Sequence, residues 1–144
     1  MIALGCDSAG FLLMQDIKAH LDARGAVYKD FGAYDAQPSD YPIFAHKVVS
    51  AIQSGECRRG ILICGTGIGV SMAANRHKGI RCALCHDVFS AKATRLHNDA
   101  NILAMGGRVI GKGLALEIVD AWLDTDFSGE ERHARRICQI DSIE

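Results

Sequence analysis

The chain has 144 residues, 49% of them hydrophobic and 23% charged, with a formal net charge of -1. That length and balance fit one domain over residues 1–144, large enough to bury a core without disulfide staples. The near-neutral charge excludes a global basic field for nucleic acid, and no apolar run approaches the roughly 20 residues needed to cross a bilayer.

Short apolar runs alternate with longer amphipathic ones. Ile2–Cys6 predicts a strand, with no basic leader before it, so a cytoplasmic protein is expected. Phe11–Arg24 carries Leu12, Leu13, Ile17 and Leu21 at helical spacing and stops at Gly25. Ala26–Phe31 predicts a strand and Tyr41–Ser54 a helix ended by Gly55. Gly60–Cys64 is almost wholly apolar, which suits a central strand of a parallel sheet, buried on both faces. Ile68–Arg76 predicts a helix, Ile80–Cys85 a strand, Val88–His97 a helix, Asn101–Met105 a strand and Leu114–Asp124 a helix. Gly129–Ile140 predicts a last, charged helix. Such alternation implies an α/β sandwich with a mostly parallel sheet and right-handed crossovers. Ligands of such folds sit beyond the carboxyl ends of the strands, so the loops after Cys6, Cys64, Cys85 and Met105 are the candidate site.

Cys64-Gly65-Thr66-Gly67-Ile68-Gly69 is the most informative of these loops. A thiol at the end of a buried strand meets a glycine-rich turn, and a helix begins. Glycines let backbone N–H groups approach a ligand, and amides at a helix N-terminus suit an anion or a developing oxyanion. The same positive end favours thiolate over thiol at a nearby cysteine. The bland alternative is a tight turn after a core cysteine. The spacing matches neither a Walker loop nor a dinucleotide fingerprint.

The other loops are more ambiguous. Asp7 or Ser8 caps the next helix, or Asp7 holds sugar hydroxyls. His97, before Asn98 and Asp99, is either an acid–base group or a charge partner for a helix end. Arg132 and Arg136 share one helical face and suit a phosphate, or form a solvated patch answering Glu130 and Glu131. Arg108 joins such a phosphate site or is simply exposed. Cys82-Ala83-Leu84-Cys85-His86 matches a haem-attachment pattern. Positions three apart in a strand face opposite sides, however, and no second ligand pair is present for zinc. With cysteines set inside apolar runs, free thiols in a reducing cytosol are expected rather than disulfides.

Taken together, these stretches resemble the type B ribose-5-phosphate isomerases and their galactose-6-phosphate and allose-6-phosphate isomerase relatives. The resemblance is carried by Gly5-Cys6-Asp7, Asp40-Tyr41-Pro42, Gly60 through Gly69, Ala73-Ala74-Asn75, Gly79-Ile80-Arg81, His97 through Asn101 and Arg132 through Arg136. It implies a Rossmann-like three-layer sandwich, with a five-stranded parallel sheet, helices on both faces and a C-terminal helix. It also implies a homodimer with a shared active site, a tetramer being the alternative, acting on a sugar phosphate without metal or organic cofactor. By resemblance, Cys64 is the base and Thr66 serves the substrate oxygens. Gly65, Gly67, Ile68 and Gly69 line the enediolate, and Asp7, His97 and Asn98 handle ring opening and hydroxyls. Tyr41 and Ser8 touch substrate, and Arg108, Arg132 and Arg136 hold the phosphate. Some members instead use a Glu just after the glycine loop; Val70 stands there, as in the cysteine branch. Where the family commonly has His after the first-strand Asp, this chain has Ser8, which puts the identity of the sugar in question. Ribose 5-phosphate is the expected substrate. Allose 6-phosphate, galactose 6-phosphate and tetrulose phosphates are alternatives, as is a non-catalytic sugar-phosphate-binding module. A redox role for Cys82 and Cys85 is more distant.

Overall fold

The computed structural model describes residues 1–143. Five parallel strands, β1 (Ile2–Cys6), β2 (Tyr28–Asp30), β3 (Arg59–Cys64), β4 (Cys82–Leu84) and β5 (Ile102–Gly106), lie in the order β2-β1-β3-β5-β4. Six α-helices connect or follow them: α1 (Phe11–Ala23), α2 (Tyr41–Gln53), α3 (Ile68–Asn75), α4 (Val88–Asn98), α5 (Lys112–Leu123) and α6 (Glu131–Asp141). This is the sandwich expected from the sequence, with small shifts. The edge strands β2 and β4 are shorter than their apolar runs, because each has a ladder partner on one side only. Ser8–Gly10 forms a short 3-10 turn, and α5 starts at Lys112, before its first apolar residue.

Period-two alternation builds the three layers. From β3, Ile61 and Ile63 join Leu4 and Cys6 of β1 and Leu103 and Met105 of β5 under α1, α4 and α5. Leu62 and Cys64 face the other way, with Ala3, Ile102 and Ala104, under α2 and α3. Each fully buried Leu or Ile in these layers is worth about 1.5–3 kcal/mol over an exposed one. The central strand is therefore fixed from both sides, and its last residue, Cys64, emerges at a defined place. The chain leaves β1 toward β2 and β3 toward β4, in opposite directions across the sheet. The crevice between β1 and β3 is thus a topological switch point, where such folds bind ligands. Among the described residues, no helix is long and apolar enough to cross a membrane.

Candidate active site

Three loops meet at that crevice, backbone against backbone. Gly107 N–H donates to Cys64 O at 2.8 Å and Arg108 N–H to Gly65 O at 3.0 Å, joining the β5 loop to the β3 loop. Asp7 N–H donates to Ile63 O at 3.2 Å, joining the β1 loop to β3. Glycines stand where the approach is closest. A Cβ on Gly106 would lie 2.7 Å from the carbonyl of Thr66, and one on Gly107 would lie 2.8 Å from Ala9 O. Gly67, at φ 77°, takes the left-handed turn that starts α3.

The turn aims Gly67 N–H at Cys64 Sγ, 3.2 Å away. Among the described residues, Cys64 is the one sulfur that receives a backbone N–H, the polarisation a thiolate needs. Burial pushes Cys6 up to about 12 and Cys85 up to about 11, and it raises Cys57 and Cys82 as well. All six cysteines are free. Cys82 packs toward the α2/α3 layer and Cys85 into the opposite core, so the two face away from each other as their spacing predicts.

Thr66 is exposed beside Cys64, and its Oγ1 accepts Ile68 N–H at 3.2 Å, which leaves its own O–H free to donate. Two N–H groups of the glycine loop are therefore committed within the chain, those of Gly67 and Ile68. Those of Thr66 and Gly69 have no acceptor among the described residues. Tyr41, in the first turn of α2, lies over Gly69 so closely that a Cβ there would meet its ring at 2.5 Å. Asp7 is buried and does act as a cap: Oδ1 accepts Gly10 N–H at 3.0 Å. Its Oδ2 has no protein partner among the described residues, so the cap and a substrate contact are compatible. Ser8 is half-buried next to it, and Arg108 reaches back to Gly65.

His97, Asn98, Arg132 and Arg136 are not at this crevice. The helix α4 runs antiparallel to the strands and ends at the amino edge of the sheet, where Asn101 O accepts Gly60 N–H at 2.8 Å. Gly60 and Cys64 are four residues apart on β3, or about 13 Å at 3.3 Å per residue. At this far edge the His97 ring stacks on His133 of α6, with centroids 4.5 Å apart and planes at 19°. Arg132 pairs with Glu130 and Arg135 with Glu131, as the solvated-patch reading had it, while Arg136 has no ion pair among the described residues. One chain thus gathers Cys64, Thr66, Asp7, Ser8, Tyr41, Arg108 and the glycine loop, and holds His97, Asn98, Arg132 and Arg136 apart as a second group.

Two site-shaping residues escaped the sequence reading. His86 appeared there only inside the haem-like pattern. In the fold its Nε2 accepts Gly106 N–H at 2.9 Å and so anchors the β5 loop. Its position just past β4, in a loop at the carboxyl end of the sheet, was the available signal. His133 is nearly sealed, and its Nε2 has no hydrogen-bond partner among the described residues, the Glu130 carboxylate lying 3.9 Å away. Burial first, then the neighbouring His97, lower its pKa, which favours the neutral ring in the stack.

A family model described as Ribose/Galactose Isomerase matches residues 2–140. Ribose-5-phosphate isomerase B of Escherichia coli is 48% identical over 143 residues, spanning 99% of this chain and 95% of its own. D-erythrulose-4-phosphate isomerase of Pectobacterium atrosepticum is 45% identical over 130 residues, spanning 89% and 85%. The crystal structure of a ribose 5-phosphate isomerase from Thermotoga maritima superposes with a TM-score of 0.96 at 48% identity, covering 99% of this chain and 97% of that one.

Proposed function

This chain belongs to the ribose/galactose isomerase family and is a sugar-phosphate isomerase, and from that premise we propose that it interconverts ribose 5-phosphate and ribulose 5-phosphate with Cys64 as the base. The observation that carries the mechanism is the Gly67 N–H on Cys64 Sγ at the β1/β3 crevice. Moving a carbonyl from carbon 1 to carbon 2 requires removing the proton on carbon 2. The thiolate of Cys64 takes it and returns it to carbon 1, while the hydroxyl proton on oxygen 2 passes to oxygen 1. Charge on the enediolate oxygens meets the Thr66 hydroxyl and the uncommitted N–H groups of Thr66 and Gly69. Asp7 Oδ2, Ser8 and Tyr41 line the sugar.

The second group of residues supplies the rest from another copy of the chain. In a two-fold dimer the amino-edge group of one protomer faces the Cys64 crevice of its partner. His97 and Asn98 then open the sugar ring, and Arg132 and Arg136 join Arg108 on the phosphate. What supports this is the separation of the two groups within one chain and the absence of an ion pair at Arg136 among the described residues. Free thiols throughout fit a reducing, cytoplasmic setting.

The test of the activity is turnover of ribose 5-phosphate by the purified protein, alongside D-erythrulose 4-phosphate and the six-carbon phosphates. Turnover of a tetrulose phosphate with none of ribose 5-phosphate moves the assignment to the second reading, which Ser8 and the Pectobacterium relative favour. Failure on all of them ends the catalytic proposal. Arg136→Ala is expected to raise KM roughly tenfold or more with a smaller change in kcat, since a charged hydrogen bond is worth about 1.5–3 kcal/mol. An unchanged KM would place the phosphate elsewhere. Dimers purified through two tags, one chain carrying Cys64→Ala and the other His97→Ala, should recover about half of wild-type activity, because one of their two sites carries neither lesion. An inactive heterodimer would rule out the shared site.

A further inference from the structure

The Gly79-Ile80-Arg81 stretch carries part of the family resemblance but has no role in the chemistry above. In the fold, Arg81 sits half-buried just before β4 and spends its guanidinium on two elements. Its Nε donates to Asn98 O at 2.9 Å and its Nη2 to Asp99 O at 3.1 Å, the two carbonyls that end α4. Its Nη1 donates to both carboxylate oxygens of Asp141 on α6, at 3.2 and 2.9 Å. The turn it grips is a strained one. Asp99 has φ 45°, a left-handed conformation that non-glycine residues rarely adopt. Arg95 holds the other side of the turn, with Nη1 2.8 Å from Asp99 Oδ1 and 2.7 Å from Ala100 O. Across the same junction the His97 ring stacks on His133, and Ser128 N–H donates to Leu96 O at 3.2 Å.

We propose that Arg81 is a positioning residue: it locks the end of α4 to the end of α6, so that His97, Asn98, Arg132 and Arg136 are presented to the partner's crevice as one rigid unit. The fork geometry of a guanidinium is what the place requires. Five donors in a plane satisfy four backbone and side-chain acceptor atoms on two helices at once, which the three donors of a lysine ammonium cannot do. The proposal rests on the shared-site reading, under which that unit contacts substrate. Arg81 meets Asn98 only at its backbone carbonyl and makes no hydrogen bond to His97, Arg132, Arg136 or Cys64.

The experiment uses Arg81→Gln in the intact dimer, with the sugar phosphate that the wild type turns over. The expected result is a loss of kcat/KM of about tenfold or more, with a rise in KM, since the phosphate arginines and the ring-opening histidine move together. Pairing in tagged heterodimers then separates positioning from general damage. Arg81→Gln paired with Cys64→Ala should recover about half of wild-type activity, because one site combines an intact Cys64 with an intact amino-edge unit. Arg81→Gln paired with His97→Ala should stay impaired, because each chain then carries a damaged amino-edge unit and neither site has an intact one. Near-wild-type kcat/KM in Arg81→Gln, or recovery with His97→Ala but not with Cys64→Ala, would overturn the proposal. If Arg81→Gln does not fold, Asp141→Asn loosens the α6 arm alone and is read by the same pairings. Inactivity of the control heterodimer, Cys64→Ala with His97→Ala, would overturn the shared-site reading and this proposal with it. Activity in that control with a normal Arg81→Gln would overturn the role of Arg81 alone.

Discussion

Cys64→Ala is expected to lower kcat on the order of 10³-fold, within the range a positioned acid–base group supplies. The fold should survive, because the side chain is small and its neighbours in the α2/α3 layer are fixed by Leu62, Val70 and Ala74. The loss should appear in kcat and kcat/KM alike, since in the proposed mechanism the thiolate acts on the carbon-bound proton and not on the phosphate. Cys64→Ser is the sharper variant. It keeps an acceptor for Gly67 N–H but offers a hydroxyl that does not ionise near neutral pH, so it should be nearly as slow as the alanine variant. Steady-state isomerisation with a thermal melt alongside decides the matter. Turnover within tenfold of wild type in either variant would remove Cys64 from proton transfer.

The largest effect on stability is expected at Gly10. A Cβ there would lie 2.5 Å from Ile63 O and 2.8 Å from Ile63 C. Both are backbone atoms of the central strand and cannot swing aside. Gly10→Ala must therefore lift the β1 loop from β3, breaking the Asp7 N–H bond to Ile63 O and tilting Asp7 out of the crevice. Overpacking of this kind costs about 3 kcal/mol at the upper end of its usual range. For a chain of this length that lowers Tm by roughly 10 °C. A fall in activity should accompany it at temperatures where the protein is still folded. Gly113→Ala is the control: it sits in α5 with nothing within 4 Å of a Cβ, so Tm should hold or rise slightly. Equal melting temperatures for the two variants would mean that the loops are not packed as described.

The sequence was most legible where one physical signal dominated. Gly60–Cys64 announced a central strand because it is apolar on both faces, and it lies in the middle strand of the five. The glycine loop announced itself because a thiol, a turn and a helix start coincide within six residues. Boundaries shifted where tertiary pairing outweighs pattern, as at β2 and β4, whose outer residues lack a ladder partner. The two readings of Asp7 proved compatible, since one oxygen caps and the other stays free. What the residues alone could not disclose was the distance between His97 and Cys64. Periodicity places His97 at the end of a helix, but only the crossover topology puts that end at the far edge of the sheet. His86 and Arg81 were hidden for a related reason: their partners, Gly106, Asn98 and Asp141, lie 17 to 60 residues away in the chain.

The close stacking of the three crevice loops also bears on how such a protein changes its diet. Positions 10, 67, 106 and 107 press on backbone atoms, so they cannot be altered one at a time without moving the backbone, while at 69 it is the Tyr41 ring that stands in the way. Room to vary is confined to the rim, where Ser8 is half-buried and Thr66, Ile68 and Tyr41 are exposed. New sugars are therefore expected to be accommodated at the rim, by exchanging side chains of different reach, while the glycine floor beside Cys64 stays as it is.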